Sequence, residues 1–469
     1  MAYDPFATLK VTHQSSRVMA GGTFVALQGQ REHGSRYIGD ALARGAHRIV
    51  VEETTQLEPA IIEQIQQAGA QLNRVAHGRK ALAQLSAEAY GFPAQQLKII
   101  GITGTKGKTT TTFLTCHILQ QSGYKTALLS SVHNAINGTI YPTELTTQHA
   151  DYIHAFLRHA VEAGVTHVVM EVAAQALSLH RVDGLTFEVG AWLNFSHEHG
   201  EFYATEADYF SAKCLLINQL RPAGSFIVSG DDERLATLPL RSDINRTTYH
   251  TAQVVLPTDR TKTMVGCWHE ATYYEVPALA GSYNGENLLV AIMIARSLGV
   301  PATTLQQALT TFAGVPGRFN IYDLPNGARC CIDYAHNPSS FEAVLQELRS
   351  HTEQLIVVFG AGGDRDRAKR PVMGAIVARY ADAIFLTTDN PRSESPEAIC
   401  NEIAAGIAAQ DRGKISIVLD RKEAIKAAYR LTRPGSIIAL LGKGADEYQI
   451  IAQEKQFFSE REIIATLEQ

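Results

Sequence analysis

One ten-residue stretch restricts the fold of this chain more than any other: Gly101-Ile102-Thr103-Gly104-Thr105-Lys106-Gly107-Lys108-Thr109-Thr110. It follows the apolar run 97–102 and opens a helix-like segment at 110–122. Glycines let a backbone wrap closely around phosphate oxygens with its N–H groups pointing inward. The helix that follows adds its positive N-terminal end. In such a loop Lys108 reaches the β- and γ-phosphates and the Thr109 hydroxyl ligates a magnesium ion. The strict GxxxxGK[ST] spacing is not met, because Ile102 stands where the first glycine would be. Gly-Lys-Thr-Thr between a strand and a helix still reads as a phosphate loop rather than a plain tight turn.

Around this loop the chain separates into three blocks, 1–96, 97–316 and 317–469. The first has strand-like segments at 23–27 and 47–52 around a helix-like 37–44, which predicts a small α/β unit with one short crossover. In the second, strand signals at 97–102, 125–130, 166–171 and 189–194 alternate with helical patterns, and the helix-like 284–298 leads toward Gly314-Val315-Pro316-Gly317. The third repeats the alternation, with strands at 330–334, 355–360, 383–387, 415–419 and 436–441 and helices at 340–350, 396–410 and 421–431. The fold class is therefore α/β in three domains: a small N-terminal α/β domain, a central P-loop domain with a mostly parallel sheet, and a C-terminal Rossmann-like domain.

Bulk properties exclude several roles. No run approaches the ~18 apolar residues of a membrane helix, and residues 1–10 lack a signal-peptide pattern. A net charge of −5 argues against general nucleic-acid binding, while leaving room for a local basic pocket. The six cysteines, Cys116, Cys214, Cys267, Cys330, Cys331 and Cys400, form no CxxC pair. They read as small buried residues in a reducing compartment, so a cytoplasmic protein is expected.

Two further carboxyl-edge positions stand out. Glu171 ends the run His167-Val168-Val169-Met170, and Glu198-His199 follows the strand-like 189–194. Both are expected beside the loop, where a carboxylate and a neutral imidazole could hold a second Mg²⁺; a capping glutamate and a surface histidine are the plainer alternative. Lys213, in Tyr209-Phe210-Ser211-Ala212-Lys213, has no distinguishing physics on sequence grounds alone.

Taken together these motifs resemble the Mur ligase family over nearly the whole chain. Residues 103–110 resemble its P-loop, placing Gly104, Thr105, Lys106, Gly107, Lys108, Thr109 and Thr110 on ATP. Met170-Glu171-Val172 resembles the start of M-E-V-S-S-H, and Asn194-Phe195-Ser196-His197-Glu198-His199 resembles N-L-S-R-D-H. The resemblance implies Mg²⁺ ligation by Thr109, Glu171, His199 and a CO₂-carbamylated Lys213, with two ions in all. A carbamate turns a cation into an anion beside metal and phosphate. Lys108, Glu171, His199 and Lys213 would be the catalytic set. Asn284-Gly285-Glu286-Asn287, Pro316-Gly317-Arg318 and Asp333-Tyr334-Ala335-His336 are similar to further ATP-facing motifs, which brings in Asn287, Arg318, Asp333 and His336.

For substrates, the first block is similar to the family's UDP-sugar module, with Ser16 in contact. Leu145-Thr146-Thr147 resembles the segment that meets a muramoyl peptide, so Thr146, Thr147 and Arg181 are expected there. Asp389-Asn390-Pro391-Arg392 resembles D-N-P-R, the signature tied to meso-diaminopimelate. It implies that Asp389, Asn390 and Arg392, with Arg370, Gly442 and Asp446, hold the incoming amino acid. A guanidinium grips a carboxylate with two parallel hydrogen bonds. The function implied is ATP-dependent addition of meso-diaminopimelate to UDP-MurNAc-L-Ala-D-Glu through an acyl phosphate, by a monomer with no nucleic-acid or membrane partner. Departures touch substrate positions: S-S-H is Ala173-Ala174-Gln175, L-T-T-P ends in Gln148, and Asp446 replaces a family glutamate. A paralogous ligase with another acceptor or amino acid, and a non-catalytic nucleotide-binding protein, are the alternatives.

Overall fold

The computed structural model describes residues 4–29, 32–196, 202–255, 264–279, 281, 283–452 and 454–467. The chain divides into two compact units, Met1–Gln253 with Glu286–Ala308 and Val254–Gly285 with Leu309–Gln469.

The first unit contains two sheets. Strands β1 (Leu9–Thr12), β2 (Val18–Val25), β3 (Arg48–Glu52) and β4 (Gln71–Val75) pair in that order, all parallel. Helices Ile38–Ala43 and Pro59–Gln67 make its crossovers, and Gly78–Ala89 leads out of it. The single crossover expected from the sequence is thus an underestimate. Strand β4 escapes notice because Gln71, Asn73 and Arg74 are exposed and polar, as suits a sheet edge.

The second sheet comprises β5 (Lys98–Thr103), β6 (Thr126–Leu129), β7 (Asn134–Ile136), β8 (Thr139–Tyr141), β9 (His167–Glu171), β10 (Phe187–Trp192), β11 (Leu220–Ser229) and β12 (Asn245–Tyr249). Its order is β12-β11-β10-β5-β9-β6-β7-β8. The six strands other than β7 and β8 run parallel, so the loops after β5, β6, β9 and β10 emerge at one edge. Strand order reverses beside β5, the place where open α/β sheets bind ligands. The β7–β8 hairpin turns at Asn137 (φ 47°) and Gly138 (φ 86°), the backbone that an Asn-Gly pair favours.

The second unit holds a small antiparallel sheet, β13 (Val254–Val255), β14 (Val265–His269) and β15 (Thr272–Val276). Its main sheet contains β16 (Asn320–Asp323), β17 (Arg329–Asp333), β18 (Leu355–Phe359), β19 (Ala383–Leu386), β20 (Ile415–Ile417) and β21 (Ile437–Leu441). The order is β16-β17-β21-β18-β19-β20, with only β16 antiparallel. Helices Pro338–Ser350, Lys369–Tyr380 and Pro396–Ala405 cover one face, and Arg421–Arg430 with Glu460–Ala465 covers the other. Cys330 and Cys331 face these opposite cores, as alternation along a strand requires. All six thiols are free and five are buried. A final hairpin joins β22 (Tyr448–Ile451) and β23 (Glu454–Phe457). Among the described residues no helix is long and apolar enough to cross a membrane.

Candidate active site

In the first unit the site grows from the turn after β5. Ile102 is fully buried within that strand, so the loop proper begins at Thr103-Gly104. The segment after β10 holds it in shape: Asn194 accepts from Lys106 N–H at 2.9 Å and donates back to Lys106 C=O at 3.2 Å. Thr105 N–H donates to Asn194 C=O at 3.0 Å. Gly107 caps the helix Lys108–Gln121 at φ 82°, and a Cβ there would stand 2.1 Å from Asn287 Oδ1. Only glycine meets both conditions. Asn287, 4% exposed, accepts from Thr111 Oγ1 at 3.3 Å. It therefore lies under the start of this helix, against Gly107. Thr110 is buried in the first helical turn.

Lys108 folds over the loop, its Nζ donating to Gly104 C=O at 2.8 Å and Thr105 C=O at 3.0 Å. Lys213 reaches the same Gly104 carbonyl from below at 3.0 Å. It is 1% exposed and sits 4.7 Å over the Tyr209 ring. A capping box at Thr205 and Asp208 starts its helix, Glu206–Asn218. Glu171, at the end of β9 next to β5, is 1% exposed. Its oxygens accept from Thr109 Oγ1 at 3.1 Å, Ser131 N–H at 2.8 Å and Ser131 Oγ at 3.0 Å. Ser131, which no sequence signal marked, makes this a cluster of one carboxylate and two hydroxyls. Such hard oxygen donors fit a Mg²⁺ that keeps most of its remaining positions for water and phosphate. His199 lies outside the described residues, as do His197, Glu198 and Glu201. Among the described residues no group of three or more His, Cys, Asp or Glu side chains could hold a metal.

Beside this cluster, Thr147 is 2% exposed and bonds Glu171 C=O at 2.8 Å while accepting Ala173 N–H at 3.0 Å. Arg181 Nη1 donates to Thr147 C=O at 2.9 Å, and its buried Nε has no hydrogen-bond partner among the described residues. Burial, with Arg79 nearby, pushes Arg181 down to about 10. Thr146 is half-buried, and Ser16 is exposed in the turn Ser15–Arg17. The end of β1 is tied to the helix Ala150–Glu162 at Asp151, which accepts from Thr12 Oγ1 at 2.9 Å and pairs with His13 Nδ1 at 2.9 Å. Burial alone would raise its carboxyl, but His13 and Thr12 hold it well below the usual range.

The second unit carries the other candidates at the carboxyl edge of its parallel strands. Asp333 ends β17 and accepts from Phe319 N–H at 2.8 Å and Ala335 N–H at 2.7 Å, so it orders the flanking loops. Burial raises its carboxyl against the opposing pull of Arg318. Arg318 stacks 4.4 Å over Tyr334. Gly317, at φ 69°, lies where a Cβ would come within 2.0 Å of Ala445 N, so the Pro-Gly-Arg turn admits no side chain there. His336 is exposed, its Nδ1 2.9 Å from Tyr334 C=O.

Asp389, Asn390 and Arg392 follow β19, beside the loop Gly442-Lys443 after β21. Arg392 has φ 52°, a strained value for a bulky residue; Arg392 N–H donates to Ile450 C=O at 3.1 Å and Nη1 to Gly363 C=O at 2.7 Å. Burial raises the Asp446 carboxyl, opposed by Lys443. Arg370 is placed differently from a ligand-gripping residue. It is 0% exposed, and its guanidinium bonds Glu394 at 2.8 and 2.9 Å, Glu402 at 2.7 Å and Gly362 C=O at 3.1 Å. It braces the Asn390–Glu394 stretch from behind; its two carboxylate partners absorb the bidentate geometry that a ligand would need.

Profiles of a single family cover the chain in three parts: the Mur ligase family catalytic domain at residues 10–90, the Mur ligase middle domain at 102–295 and the Mur ligase glutamate ligase domain at 317–444. The chain belongs to the Mur ligase family. A Chlorobium phaeobacteroides relative named UDP-N-acetylmuramoyl-L-alanyl-D-glutamate--2,6-diaminopimelate ligase is 35% identical over 97% of this chain and 91% of its own length. A solved structure bearing the same name matches this Mur ligase with TM-score 0.64 at 26% identity, covering 98% and 94% of the two chains. The Thermotoga maritima MurF ligase solved in complex with ADP matches with TM-score 0.65 at 19% identity, over 99% and 98%. That likeness is one of fold.

Proposed function

We infer that this Mur ligase is an ATP-dependent ligase that joins meso-diaminopimelate to UDP-MurNAc-L-Ala-D-Glu in peptidoglycan-precursor synthesis. The observation that carries the reading is the 35% identity, over 97% of the chain, to a relative named for that reaction. The geometry supports it with a phosphate loop in one unit and an acid–amide–guanidinium set, Asp389, Asn390 and Arg392, in the other.

The acceptor carboxylate attacks the γ-phosphate of ATP to give an acyl phosphate and ADP. Lys108, Thr109 and the loop N–H groups bear the charge that spreads over the transferring phosphoryl group. Magnesium, held at Thr109 and Glu171 with His199 and in two ions as the family resemblance implies, would supply further charge neutralisation there. Lys213 as its carbamate would add an anion to that shell; its burial directly beneath Gly104 supports the assignment. Arg181, whose Nη1 donates to Thr147 C=O, is assigned to the acceptor carboxylate as its cation. The amino group of the diamino acid then attacks the acyl carbon and phosphate leaves. Asn287, Arg318, Asp333 and His336 are assigned to the nucleotide, and Ser16, Thr146 and Thr147 to the acceptor. The family profiles support domain limits of 1–96, 97–316 and 317–469, and six free thiols support a cytoplasmic protein; we assign a monomer.

The test is ATP-dependent phosphate release with UDP-MurNAc-L-Ala-D-Glu and meso-diaminopimelate, L-lysine or L-ornithine in parallel, with product mass recorded. Release and mass gain with diaminopimelate alone are expected. Turnover with another amino acid would move the specificity to Asp446 and its neighbours, and silence with all three would overturn the acceptor. Lys213→Ala is expected to abolish turnover while preserving the fold; normal turnover in that variant would end the carbamate assignment.

A further inference from the structure

Lys443 is a fully buried cation that no step above uses. It is 0% exposed, and burial lowers its ammonium from the ordinary lysine value, opposed by Asp389. Its Nζ bonds Asp389 Oδ1 at 3.3 Å and Asn390 Oδ1 at 3.3 Å. The rings of Tyr448 and Phe458 lie 5.8 Å from the same Nζ, their electron-rich faces suited to a desolvated cation.

The consequence is directional. Asn390 Oδ1 also accepts Ile450 N–H at 2.9 Å. With two donors on that oxygen, the amide orientation is decided by its network, and Nδ2 faces the other way. Among the described residues Asn390 Nδ2 donates no hydrogen bond and Asp389 Oδ2 accepts none, and neither is sealed from solvent. One ammonium therefore takes the inner oxygen of both side chains and presents an anionic acceptor beside a neutral donor. That pair matches a zwitterionic –CH(NH₃⁺)COO⁻ group: its ammonium for Asp389 Oδ2, its carboxylate for Asn390 Nδ2 and the Arg392 guanidinium.

We propose that Lys443 is the positioning residue of the amino-acid site, orienting Asp389 and Asn390 toward the zwitterionic end of the incoming amino acid. The proposal rests on the ligase reading above. Wild-type turnover with diaminopimelate tests that reading separately, so the two can fail independently.

The experiment is a double-mutant cycle with Lys443→Met, Asp389→Asn and the pair, measuring KM for the diamino acid, KM for ATP, kcat and the thermal midpoint. Lys443→Met leaves Asp389 without its cation and is expected to raise the amino-acid KM at least tenfold, with KM for ATP within twofold. In the double variant the unpaired carboxylate is gone, so the thermal midpoint recovers toward wild type and the protein folds even where Lys443→Met does not. Its amino-acid KM is expected to match that of Asp389→Asn alone within about twofold, because residues acting as a unit are non-additive. A merely structural role predicts instead that KM recovers with stability. That recovery, multiplicative effects of the two substitutions, or an equal rise in the ATP KM would each overturn the proposal.

Discussion

Replacing Arg370 by methionine distinguishes a brace from a ligand contact. The guanidinium makes four hydrogen bonds, three of them to the carboxylates of Glu394 and Glu402. Each charge-assisted bond has a net worth of about 1.5–3 kcal/mol when buried. The two carboxylates are 20% and 27% exposed and can be rehydrated once the arginine is gone. A net loss of roughly 2–4 kcal/mol follows, short of the ~3–5 kcal/mol seen when a fully buried pair is broken. For a unit of this size that lowers the midpoint by roughly 5–15 °C in calorimetry. The pH dependence supplies a second signature. Arg370 holds Glu394 down from its ordinary 4.5 to about 2. A depressed carboxyl stabilises the fold above its unfolded value and loses that contribution as pH falls toward its folded value. Wild-type stability therefore declines between about pH 4.5 and 2 through this group, and Arg370→Met flattens that limb. An unchanged midpoint at pH 7, together with a tenfold rise in the amino-acid KM, would refute the brace and restore Arg370 as a ligand contact.

Two further substitutions probe the first unit. Gly107→Ala imposes a left-handed backbone cost of about 1–2 kcal/mol and drives Asn287 off Thr111, so nucleotide affinity by calorimetry is expected to fall by about tenfold or more; an unchanged affinity would show that neither the Gly107 backbone nor its contact with Asn287 shapes the phosphate loop. Asp151→Asn removes the charged partner of Thr12 and His13 and is expected to lower stability by about 1–3 kcal/mol, and, because Asp151 is held below the ordinary range, to remove part of the acid-limb decline. An acid limb identical to wild type in urea titrations would show that this tie carries no folding energy.

Sequence alone made much of the two larger sheets legible because many of their strands are apolar runs bounded by turn residues, as Leu355–Phe359 and Ile437–Leu441 illustrate. It missed strands whose apolar run is broken by polar, proline or glycine residues. Leu220–Ser229 contains Pro222 and Gly224, and β4 is a polar edge. The β7–β8 hairpin could have been found from Asn137-Gly138, whereas the β14–β15 turn uses Glu270 and Ala271 at φ 47° and 60°, residues that signal no such turn. Site chemistry was unevenly visible. The phosphate loop announces itself through glycine and threonine, but the role of Ser131 depends on β6 and β9 being neighbours. Arg370 and Lys443 differ from surface cations only by burial, which no local pattern encodes.

The departures at Ala173-Ala174-Gln175 take on a definite meaning once backbone and side-chain contributions are separated. Thr147 Oγ1 is held by Ala173 N–H and by Glu171 C=O, both main-chain groups that any residue at 173 would supply. Loss of a hydroxyl there leaves the Thr147 geometry intact and removes only what a side chain would have offered the acceptor. Ala174 is 4% exposed and opens the short helix Ala174–Ser178, where a small apolar residue packs without an unsatisfied polar group. On the acceptor assignment proposed above, the cation beside Thr147 is Arg181, whose Nη1 donates to Thr147 C=O. Under that proposed assignment, a site with fewer neutral donors that keeps its cation would retain attraction for an anionic acceptor while losing discrimination among anions of similar shape, because charge attracts over distance and hydrogen bonds select by position. The proposed assignment therefore predicts acceptor tolerance rather than loss of ligation: turnover is expected to persist when the acceptor carboxylate is varied, and strict selectivity for one acceptor in phosphate-release assays would overturn it.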